Sequence, residues 1–326
     1  MMQHWSMYWQ TSGVLNSFAE GDANQGYTGA IKKFWDQSFD SIPQGATIVD
    51  AGCGNGALAL LAYDFGRANQ KDFVIEGLDA AEINPVQQFE KQPAVAKKLK
   101  TIKFHSATPI AEAPYTAESV DAVISQFAFE YAEQVPALAK ISEILKPGGK
   151  LITMSHHASS KLVKDSKVGV EVLTAILEES PLFQQADLII DLAMQAIPQL
   201  GDEGWAKYSH NRILSQSTKW MMDSLLQRFD KPEQQTYVKD AIARVARVLQ
   251  AMNGSNLEQA RKQLTYDYHV LADHKKRLDE QLQSAYAKKD ITALKKAATK
   301  AGLKLEAEPF EIEGEVFGWT ITAKKA

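Results

Sequence analysis

The sequence predicts an α/β fold: a mostly parallel seven-stranded sheet covered by helices, with a helical region inserted into it. Strand patterns alternate with helical patterns over residues 47–155, as in a parallel sheet covered on both faces. The alternation stops over residues 160–288, where helical patterns follow one another. It returns with one helix and two strand patterns, and the short connection at 311–314 predicts that these strands form an antiparallel hairpin.

These patterns assign the elements in order along the chain. Strands are predicted at 47–49, 73–78, 102–104, 120–125, 150–155, 303–310 and 315–323. Helices of the insertion are predicted at 168–179, 181–197, 211–229, 232–252 and 257–286, with a turn at 201–204. We therefore expect an N-terminal helical flap at 1–27, a sheet domain formed by 28–159 and 289–326, and a helical cap at 160–288.

Composition narrows the class of protein. Of the 326 residues, 45% are hydrophobic and 23% are charged, which is ordinary for a globular chain. The net charge of −4 argues against a general nucleic-acid binder. Cys53 is the only cysteine, which is compatible with a reducing compartment. There is no signal-peptide pattern, and no apolar run approaches the roughly 20 residues of a membrane span. We expect a cytoplasmic protein that binds neither nucleic acid nor membrane; the sequence does not predict its oligomeric state.

A glycine-rich loop follows the first predicted strand. Asp50 ends the apolar run, Gly52, Gly54 and Gly56 occupy alternate positions, and an Ala/Leu-rich helical pattern begins at Ala57. Glycine permits positive φ and lets the backbone approach a ligand closely. The first turn of the helix offers free N–H groups. The pattern indicates a loop that binds a nucleotide-type cofactor.

Two kinds of cofactor loop fit this pattern. Gly52, Gly54 and Ala57 match the dinucleotide pattern Gly-x-Gly-x-x-Gly/Ala. Asp50 argues against a dinucleotide, because a carboxylate suits a ligand ammonium group better than a pyrophosphate. Two further features also argue against a dinucleotide: the helical segment that precedes the loop, and the antiparallel hairpin predicted at 303–323.

Five features in order resemble class I S-adenosylmethionine-dependent methyltransferases. They are the motif Asp50-Ala-Gly-Cys-Gly-Asn-Gly56, Asp79 at the end of the second strand, Ser119-Val-Asp121 before the fourth, Leu145-Lys-Pro-Gly-Gly149 before the fifth, and the terminal hairpin. The resemblance covers about residues 28–156 and 290–324. It implies a Rossmann-like seven-stranded sheet and S-adenosyl-L-methionine as the cofactor.

The same resemblance implies roles for individual residues. The three glycines would let the backbone approach the methionine and ribose portions of the cofactor, with Asp50 close to the ammonium group. Asp79 would accept hydrogen bonds from both ribose hydroxyls. Related proteins often carry an acid after the third strand that contacts adenine, whereas this chain has His105-Ser106-Ala107-Thr108 there. The remaining predicted cofactor contacts are Ala80, Ala107, Gln126 and Phe127.

Candidate catalytic residues lie where the fourth and fifth strands end, since cofactor and substrate meet at the carboxyl ends of parallel strands. His156 and His157 follow the fifth strand, and a histidine is a general base near neutral pH. Tyr131 follows the fourth strand. A substrate contact or a structural role is open for each histidine, and a position in the core or at the rim of the site is the alternative for Tyr131. No nearby carboxylate or cysteine spacing supports a metal site at the histidine pair, so no metal is predicted.

Aromatic residues in two regions are predicted to contact the substrate, with ordinary packing as the alternative. Trp5, Tyr8 and Trp9 belong to the flap, and Trp205, Tyr208 and Trp220 belong to the insertion. Because the insertion directly follows the fifth strand, we expect it to cover the open edge of the sheet. Such a cover excludes water, and favours a small-molecule substrate in an enclosed pocket.

Three functions are consistent with these residues. The first is methyl transfer to a small molecule, which depends mainly on alignment of the reacting atoms. The second is attack on another carbon of the same cofactor, by cyclisation or aminocarboxypropyl transfer, which would release methylthioadenosine. The aromatic flap would hold the sulfonium by cation–π contact in either case. The third is cofactor binding without catalysis.

Overall fold

The computed structural model describes residues 2–16 and 26–326. The chain divides into two compact units, Met1–Val163 with Gln283–Ala326, and Lys164–Leu282. The predicted flap at 1–27 includes residue 1 and residues 17–25, which lie outside the described ranges. None of the helices in the described ranges combines the length and apolar character needed to cross a bilayer.

The first unit contains a seven-stranded sheet with the order β3-β2-β1-β4-β5-β7-β6. Strands β1 to β5 are parallel, and β7 lies antiparallel between β5 and β6. The predicted fold class, including the terminal hairpin, is confirmed. The strands are β1 Thr47–Ala51, β2 Val74–Leu78, β3 Lys103–His105, β4 Val120–Gln126, β5 Leu145–His156, β6 Leu303–Ile312 and β7 Glu315–Lys325.

Helices cover both faces of this sheet and bury its apolar side chains. The helices of the first unit are α1 Gln3–Thr11, α2 Gly29–Asp40, α3 Ala57–Ala68, α4 Pro85–Gln88, α5 Pro93–Leu99, α6 Gln134–Ile144 and α12 Lys288–Lys300. One core packs Trp35 and Leu58, from α2 and α3, against Ile48 of β1. The other packs Leu138 of α6 and Leu294 of α12 with Val49 of β1. Burial on both faces explains why the central strands are continuous apolar runs.

Strand β5 begins earlier than its apolar pattern predicts. Leu145 pairs with Val120, and the next pairing joins Lys150 to Ala122, so residues 146–149 bulge within the strand. Gly148 supplies the positive φ of this bulge, +78°. The motif Leu145-Lys-Pro-Gly-Gly149, which was expected before the fifth strand, therefore lies inside β5 and interrupts it.

The second unit is helical, and no strand falls within its residues 164–282, all of which the structure describes. Its helices are α7 Lys161–Thr174, continued by a π-helical turn at Ala175–Glu179, α8 Leu182–Lys207, α9 Ser209–Arg228, α10 Pro232–Ala251 and α11 Leu257–Ser284. The turn predicted at 201–204 is a kink inside α8, where Gly201 leaves helical geometry at φ +70°. Helix therefore resumes beyond the predicted end at residue 197 and reaches Lys207.

Candidate functional site

A cavity of about 510 Å³ lies in the first unit, at the carboxyl ends of β1, β2 and β4. β1 lies between β2 and β4, so the strand order reverses direction at this point. Open α/β sheets bind their ligands at such switch points. The described residues that line the cavity all belong to the first unit. They come mainly from α1, the stretch between α1 and α2, the glycine loop with the start of α3, and the segments that follow β2, β3 and β4.

The glycine loop joins β1 to α3 in a conformation that requires its glycines. Gly52 and Cys53 both donate their N–H groups to the Leu78 carbonyl, at 2.8 and 3.0 Å, which fixes the loop to the end of β2. Gly52 has a φ of +74°, and a Cβ built there would lie 2.2 Å from the Ala128 side chain. A larger residue would therefore displace the segment after β4. Of the predicted cofactor-binding glycines, Gly52 lines the cavity, while Gly54 and Gly56 shape the loop behind it.

Asp79 is held on the cavity wall by two backbone groups. Its Oδ2 accepts from the Gly54 N–H and its Oδ1 from the Ala81 N–H, both at 2.8 Å. The side chain is buried, and burial raises its pKa to about 6 against the lowering effect of those two bonds. Each carboxylate oxygen can accept a second hydrogen bond. Asp79 can thus receive two ligand hydroxyls, and the predicted contact Ala80 lines the cavity beside it.

Asp50 lines the same cavity and is almost completely buried, at 1% exposure. Its Oδ2 accepts from the Ala59 N–H in α3 at 3.0 Å. Burial raises its pKa to about 8; the bond from Ala59 lowers the pKa, and the nearby Asp79 raises it further. A ligand ammonium beside this carboxyl would favour its ionised form. The donor set therefore fits an amino-acid moiety at Asp50 and a diol at Asp79.

Strand β4 brings the two other predicted contacts, Gln126 and Phe127, to the cavity. The Gln126 side-chain carbonyl accepts from the Trp35 indole N–H, which ties it to α2. Phe127 adopts φ +51°, a region that a bulky residue occupies only under constraint from its surroundings. Its N–H donates to the Met154 carbonyl of β5 at 2.7 Å.

The catalytic candidates are placed differently from one another. Tyr131 lines the cavity, whereas His156 and His157 are not among the described residues that line it. The His156 ring lies 4.3 Å from that of Phe127, centroid to centroid, and 6.1 Å from that of Tyr131. His157 stacks on Trp319 at 4.7 Å, and its Nδ1 accepts from the Ser159 N–H. Burial lowers the pKa of His157. Their catalytic roles remain predictions.

Glu130, which was not predicted from the sequence, belongs to a 3₁₀ turn at Phe129–Tyr131. Its Oε1 accepts from the backbone N–H of His156 at 2.7 Å and from the Nδ1 of the same residue at 2.6 Å. The signal in the sequence was an acid between two aromatic residues at a strand end. Burying a carboxylate costs free energy unless the carboxylate is paired. An acid at a buried position therefore indicates a hydrogen-bonding partner elsewhere in the chain.

The segment after β3 lines the cavity at positions the sequence did not indicate. Ala107 is not among the described lining residues; it has φ +50° and donates its N–H to the Ala81 carbonyl at 3.0 Å. Pro109, Ile110 and Glu112 line the cavity instead. A carboxylate, that of Glu112, is therefore present on this side of the cavity, further along the chain than residues 105–108. Ala107 remains a predicted contact through its backbone only.

Helix α1 of the predicted flap contributes Trp5 and Trp9 to the cavity wall. Tyr8 is not among the described residues that line the cavity, but its ring packs edge-on against that of Trp9, with 5.0 Å between the ring centroids. Asn55 fastens this helix to the glycine loop, because its Nδ2 donates to the Trp9 carbonyl at 3.0 Å and the Val14 carbonyl at 2.8 Å. The Trp5 ring also meets the Tyr131 ring edge-on at 5.8 Å. Asn55 was not predicted, because an asparagine between two glycines looks like an ordinary turn residue in the sequence. In the structure its side chain is fully buried.

The three other predicted substrate residues belong to the second unit. Trp205 is buried against Ile197 and Leu257 in a small core, together with Tyr208. Trp220 is 65% exposed on α9. Their contact with a substrate remains a prediction. Within the described ranges, no group of three or more His, Cys, Asp or Glu side chains is arranged to hold a metal ion.

A sequence model described as a methyltransferase domain matches residues 42–302, which is most of the chain: all of the second unit and the larger part of the first. The chain belongs to the methyltransferase domain family. The family predicted from the glycine loop, Asp79 and the terminal hairpin is thereby confirmed. No curated protein sequence matches this methyltransferase-domain chain.

Several solved structures resemble parts of this methyltransferase-domain chain. One is geranyl diphosphate C-methyltransferase from Streptomyces coelicolor with Mg²⁺, geranyl diphosphate and S-adenosyl-L-homocysteine, at 16% identity over 47% of this chain and 64% of that one, with a TM-score of 0.34. Another is an S-adenosylmethionine-dependent methyltransferase from Mesorhizobium loti, at 22% identity over 40% and 56%, with a TM-score of 0.30. A third is 1,6-didemethyltoxoflavin-N1-methyltransferase from Burkholderia thailandensis, at 16% identity over 39% and 53%, with a TM-score of 0.30.

The matched regions are limited in extent. The chain spans about half the length of the first solved structures it matches, with 44%, 54% and 49% of their chains covered. At TM-scores of 0.29 to 0.32 these likenesses do not bear on the substrate of this methyltransferase-domain chain.

Proposed function

We propose that this protein transfers the methyl group of S-adenosylmethionine to a small molecule bound in the cavity of the first unit. The observation that carries the proposal is the pair of buried carboxyls, Asp50 and Asp79, on the wall of one cavity at the ends of adjacent parallel strands. A donor with an amino-acid moiety at one end and a ribose in its middle has matching groups for both.

Three residues in and beside the loop would each bind a different part of the donor. Asp79 would accept from the two ribose hydroxyls with the lone pairs that Gly54 and Ala81 leave available. Asp50 would neutralise the ammonium group in a site from which water is largely excluded, where ionic contacts are strong. Gly52 would let the methionine portion lie directly against the backbone.

Catalysis would rest mainly on alignment. The bound donor supplies an electrophilic methyl group on a sulfonium. Holding the acceptor atom in line with the methyl carbon and sulfur replaces a bimolecular encounter by a preorganised one. Trp5, Trp9 and Phe127 line the cavity and offer aromatic faces for the sulfonium and for a flat acceptor.

The size of the cavity favours a small-molecule acceptor. Its volume of about 510 Å³ lies inside the range of roughly 300–1,000 Å³ that is usual for small-molecule sites. The net charge of −4 agrees with an acceptor other than nucleic acid. A cytoplasmic location belongs to the same proposal and is compatible with the single buried thiol, Cys53.

Product analysis tests this function. The protein is incubated with methyl-labelled S-adenosylmethionine and the small-molecule fraction of a cell extract. We expect S-adenosylhomocysteine and a labelled small molecule. Release of methylthioadenosine would favour attack on another carbon of the donor, and binding without either product would favour a protein that only holds the cofactor.

A further inference from the structure

Glu130 and His156 form a buried carboxylate–imidazole pair next to the aromatic wall of the cavity. The Glu130 side chain is fully enclosed, and that of His156 is 8% exposed. Both hydrogen bonds of Glu130 end on His156, one on its backbone N–H and one on its ring. The other oxygen, Oε2, has no hydrogen-bond partner in the part of the chain that the structure describes. Within the described part of the chain, the hydrogen bonds of this carboxylate therefore hold His156 alone in position.

An ionised Glu130 fixes which ring nitrogen carries hydrogen. A carboxylate has only acceptor oxygens, so the imidazole donates to Oε1 from Nδ1, at 2.6 Å, beside the bond from the backbone N–H of His156. In the neutral ring the free lone pair then lies on Nε2, at the opposite side of the imidazole. Among the described residues, none forms a hydrogen bond with Nε2. A carboxylate that orients a histidine in this way prepares it to accept a proton.

The imidazole is close to the cavity through two lining residues. The Phe127 ring packs on it at 4.3 Å, and Tyr131 meets it edge-on at 6.1 Å. Phe127 and Tyr131 both line the cavity. Phe127 holds its place in a left-handed backbone conformation, φ +51°, which costs conformational energy and is typical of functional sites. The part of the cavity wall at these two rings is therefore where Nε2 could be reached.

We propose that His156 is a catalytic general base, with Glu130 as its positioning residue, and that the acceptor carries a dissociable proton on its nucleophilic atom, as a phenolic or enolic hydroxyl does. This rests on the proposed function. The acceptor lone pair forms the new bond to the methyl carbon, and the carbon–sulfur bond breaks with its electron pair remaining on sulfur. The acceptor proton moves to Nε2 of His156 and later leaves to water.

The acceptor class follows from this balance. A thioether or a tertiary amine has no proton to lose, would gain a permanent positive charge on methylation and would need no base. An acceptor with an O–H or an acidic C–H gains CH₂ in its formula and yields a product of unchanged charge. The aromatic lining by Trp5, Trp9 and Phe127 suits a flat, neutral acceptor of the second kind.

The chain provides matched variants for a test. Glu130→Gln keeps an oxygen that can accept both His156 bonds and removes the charge. His156→Asn keeps a side-chain N–H that can donate to Glu130 and removes the base. Glu76→Gln is the control, because Glu76 forms the same kind of pair with His105, at 2.7 Å, between β2 and β3. Neither Glu76 nor His105 is among the described residues that line the cavity.

The experiment measures single-turnover transfer of label from methyl-labelled S-adenosylmethionine to the small-molecule fraction of a cell extract. The melting temperature and the donor affinity of each variant are measured alongside. We expect transfer to fall by about 100-fold or more in His156→Asn and by at least about 10-fold in Glu130→Gln. Donor affinity should change by less than about threefold in either variant, because the proposed donor contacts are Asp50, Gly52 and Asp79. Glu76→Gln should transfer label at the wild-type rate, and the wild-type product should gain CH₂ with no new charge.

The outcomes separate this inference from the proposed function. Transfer by His156→Asn at close to the wild-type rate would overturn the inference alone, as would a product that gains CH₃ and a permanent charge. Absence of S-adenosylhomocysteine with the wild-type protein would overturn the proposed function and this inference together. If His156→Asn does not fold, Glu130→Gln decides by the same rate, since it keeps the shape of the side chain and an oxygen that can accept both bonds from His156.

Discussion

The backbone N–H of Gly54 donates a hydrogen bond of 2.8 Å to Oδ2 of Asp79. This bond joins the loop after β1 to the residue that follows β2, and it leaves further lone pairs on a carboxylate that lines the cavity. The two features that were separate motifs in the sequence are therefore one site. A change in either residue is expected to alter both the shape of the loop and the affinity for the donor.

Replacement of Asp79 by alanine should weaken binding of S-adenosylmethionine. The loss of a charged acceptor for two hydroxyls corresponds to about 1.5–3 kcal/mol, or roughly 10- to 150-fold in the dissociation constant. Titration calorimetry measures this directly. Asp64→Ala is the control, because Asp64 is a half-exposed carboxylate paired with Lys98 on the surface of α3. Equal affinity in wild type and Asp79→Ala would remove this residue from the site.

Binding of the donor should release a proton at Asp50. Burial raises the pKa of this carboxyl to about 8 in the ligand-free protein, so it is mostly protonated at pH 7. An ammonium group beside it favours the ionised form, so about one proton should leave on binding at pH 7. Affinity should rise with pH up to about 8 and level off above it. Calorimetry in two buffers of different ionisation enthalpy counts the proton; in Asp50→Asn this release should disappear, and release at the wild-type level would contradict the assignment.

The same carboxyl should make the ligand-free protein less stable as pH rises. Because its pKa is raised from about 3.9 in the unfolded chain to about 8 in the folded protein, the folded state binds more protons between these values. Asp79, with a pKa of about 6, contributes only over the lower part of this range. Between pH 6 and 8 the free energy of unfolding of the wild type should therefore decline more steeply than that of Asp50→Asn. Urea unfolding at several pH values checks the difference; parallel curves would exclude the shift.

Gly54→Ala should disturb the contact between the loop and α1. Gly54 has φ +50°, and a Cβ there would lie 2.5 Å from the Trp9 ring. Gly148→Ala is a matched control, because Gly148 also has positive φ but has open space around its Cβ position. The backbone cost of about 1–2 kcal/mol is common to both variants. Overpacking should add about 1–3 kcal/mol to Gly54→Ala alone, measured by urea unfolding. Equal losses in the two variants would show that Trp9 moves away without cost.

Asn55→Ala should loosen α1 and speed release of the donor. The buried amide donates to the carbonyls of Trp9 and Val14, and leaving buried carbonyls without a partner costs about 1–3 kcal/mol. Stopped-flow dissociation of S-adenosylhomocysteine, followed by tryptophan fluorescence, should be several-fold faster than in wild type. Asn69→Ala is the comparison, since Asn69 only caps the exposed end of α3. An unchanged dissociation rate would mean that α1 does not retain the ligand.

Local patterns were sufficient to predict the sheet and the main acids of the site. Strand periodicity, the three alternate glycines and the acid at the end of the second strand each depend on a few neighbouring residues. The same logic placed Asp50, Asp79, Gln126 and Phe127 at strand ends, where the structure has them lining one cavity.

The missed features depend on contacts between distant parts of the chain. Asn55 matters because α1 packs over the loop, and Glu130 because β5 brings His156 beside it. Neither partner is close in sequence, so no local pattern indicates the pair. Glycine weakens a helix, which is why the sequence predicts a turn at 201–204; in the structure the helix resumes beyond Gly201, and Trp205 is buried in a small core.

The most direct measurement of the central claim is a crystal structure of the protein with S-adenosylhomocysteine. Placement of the ligand in the cavity is expected, with its two ribose hydroxyls within about 3 Å of Asp79 oxygens and its amino group next to Asp50. A ligand bound elsewhere, or one whose ribose does not contact Asp79, would contradict the proposed site.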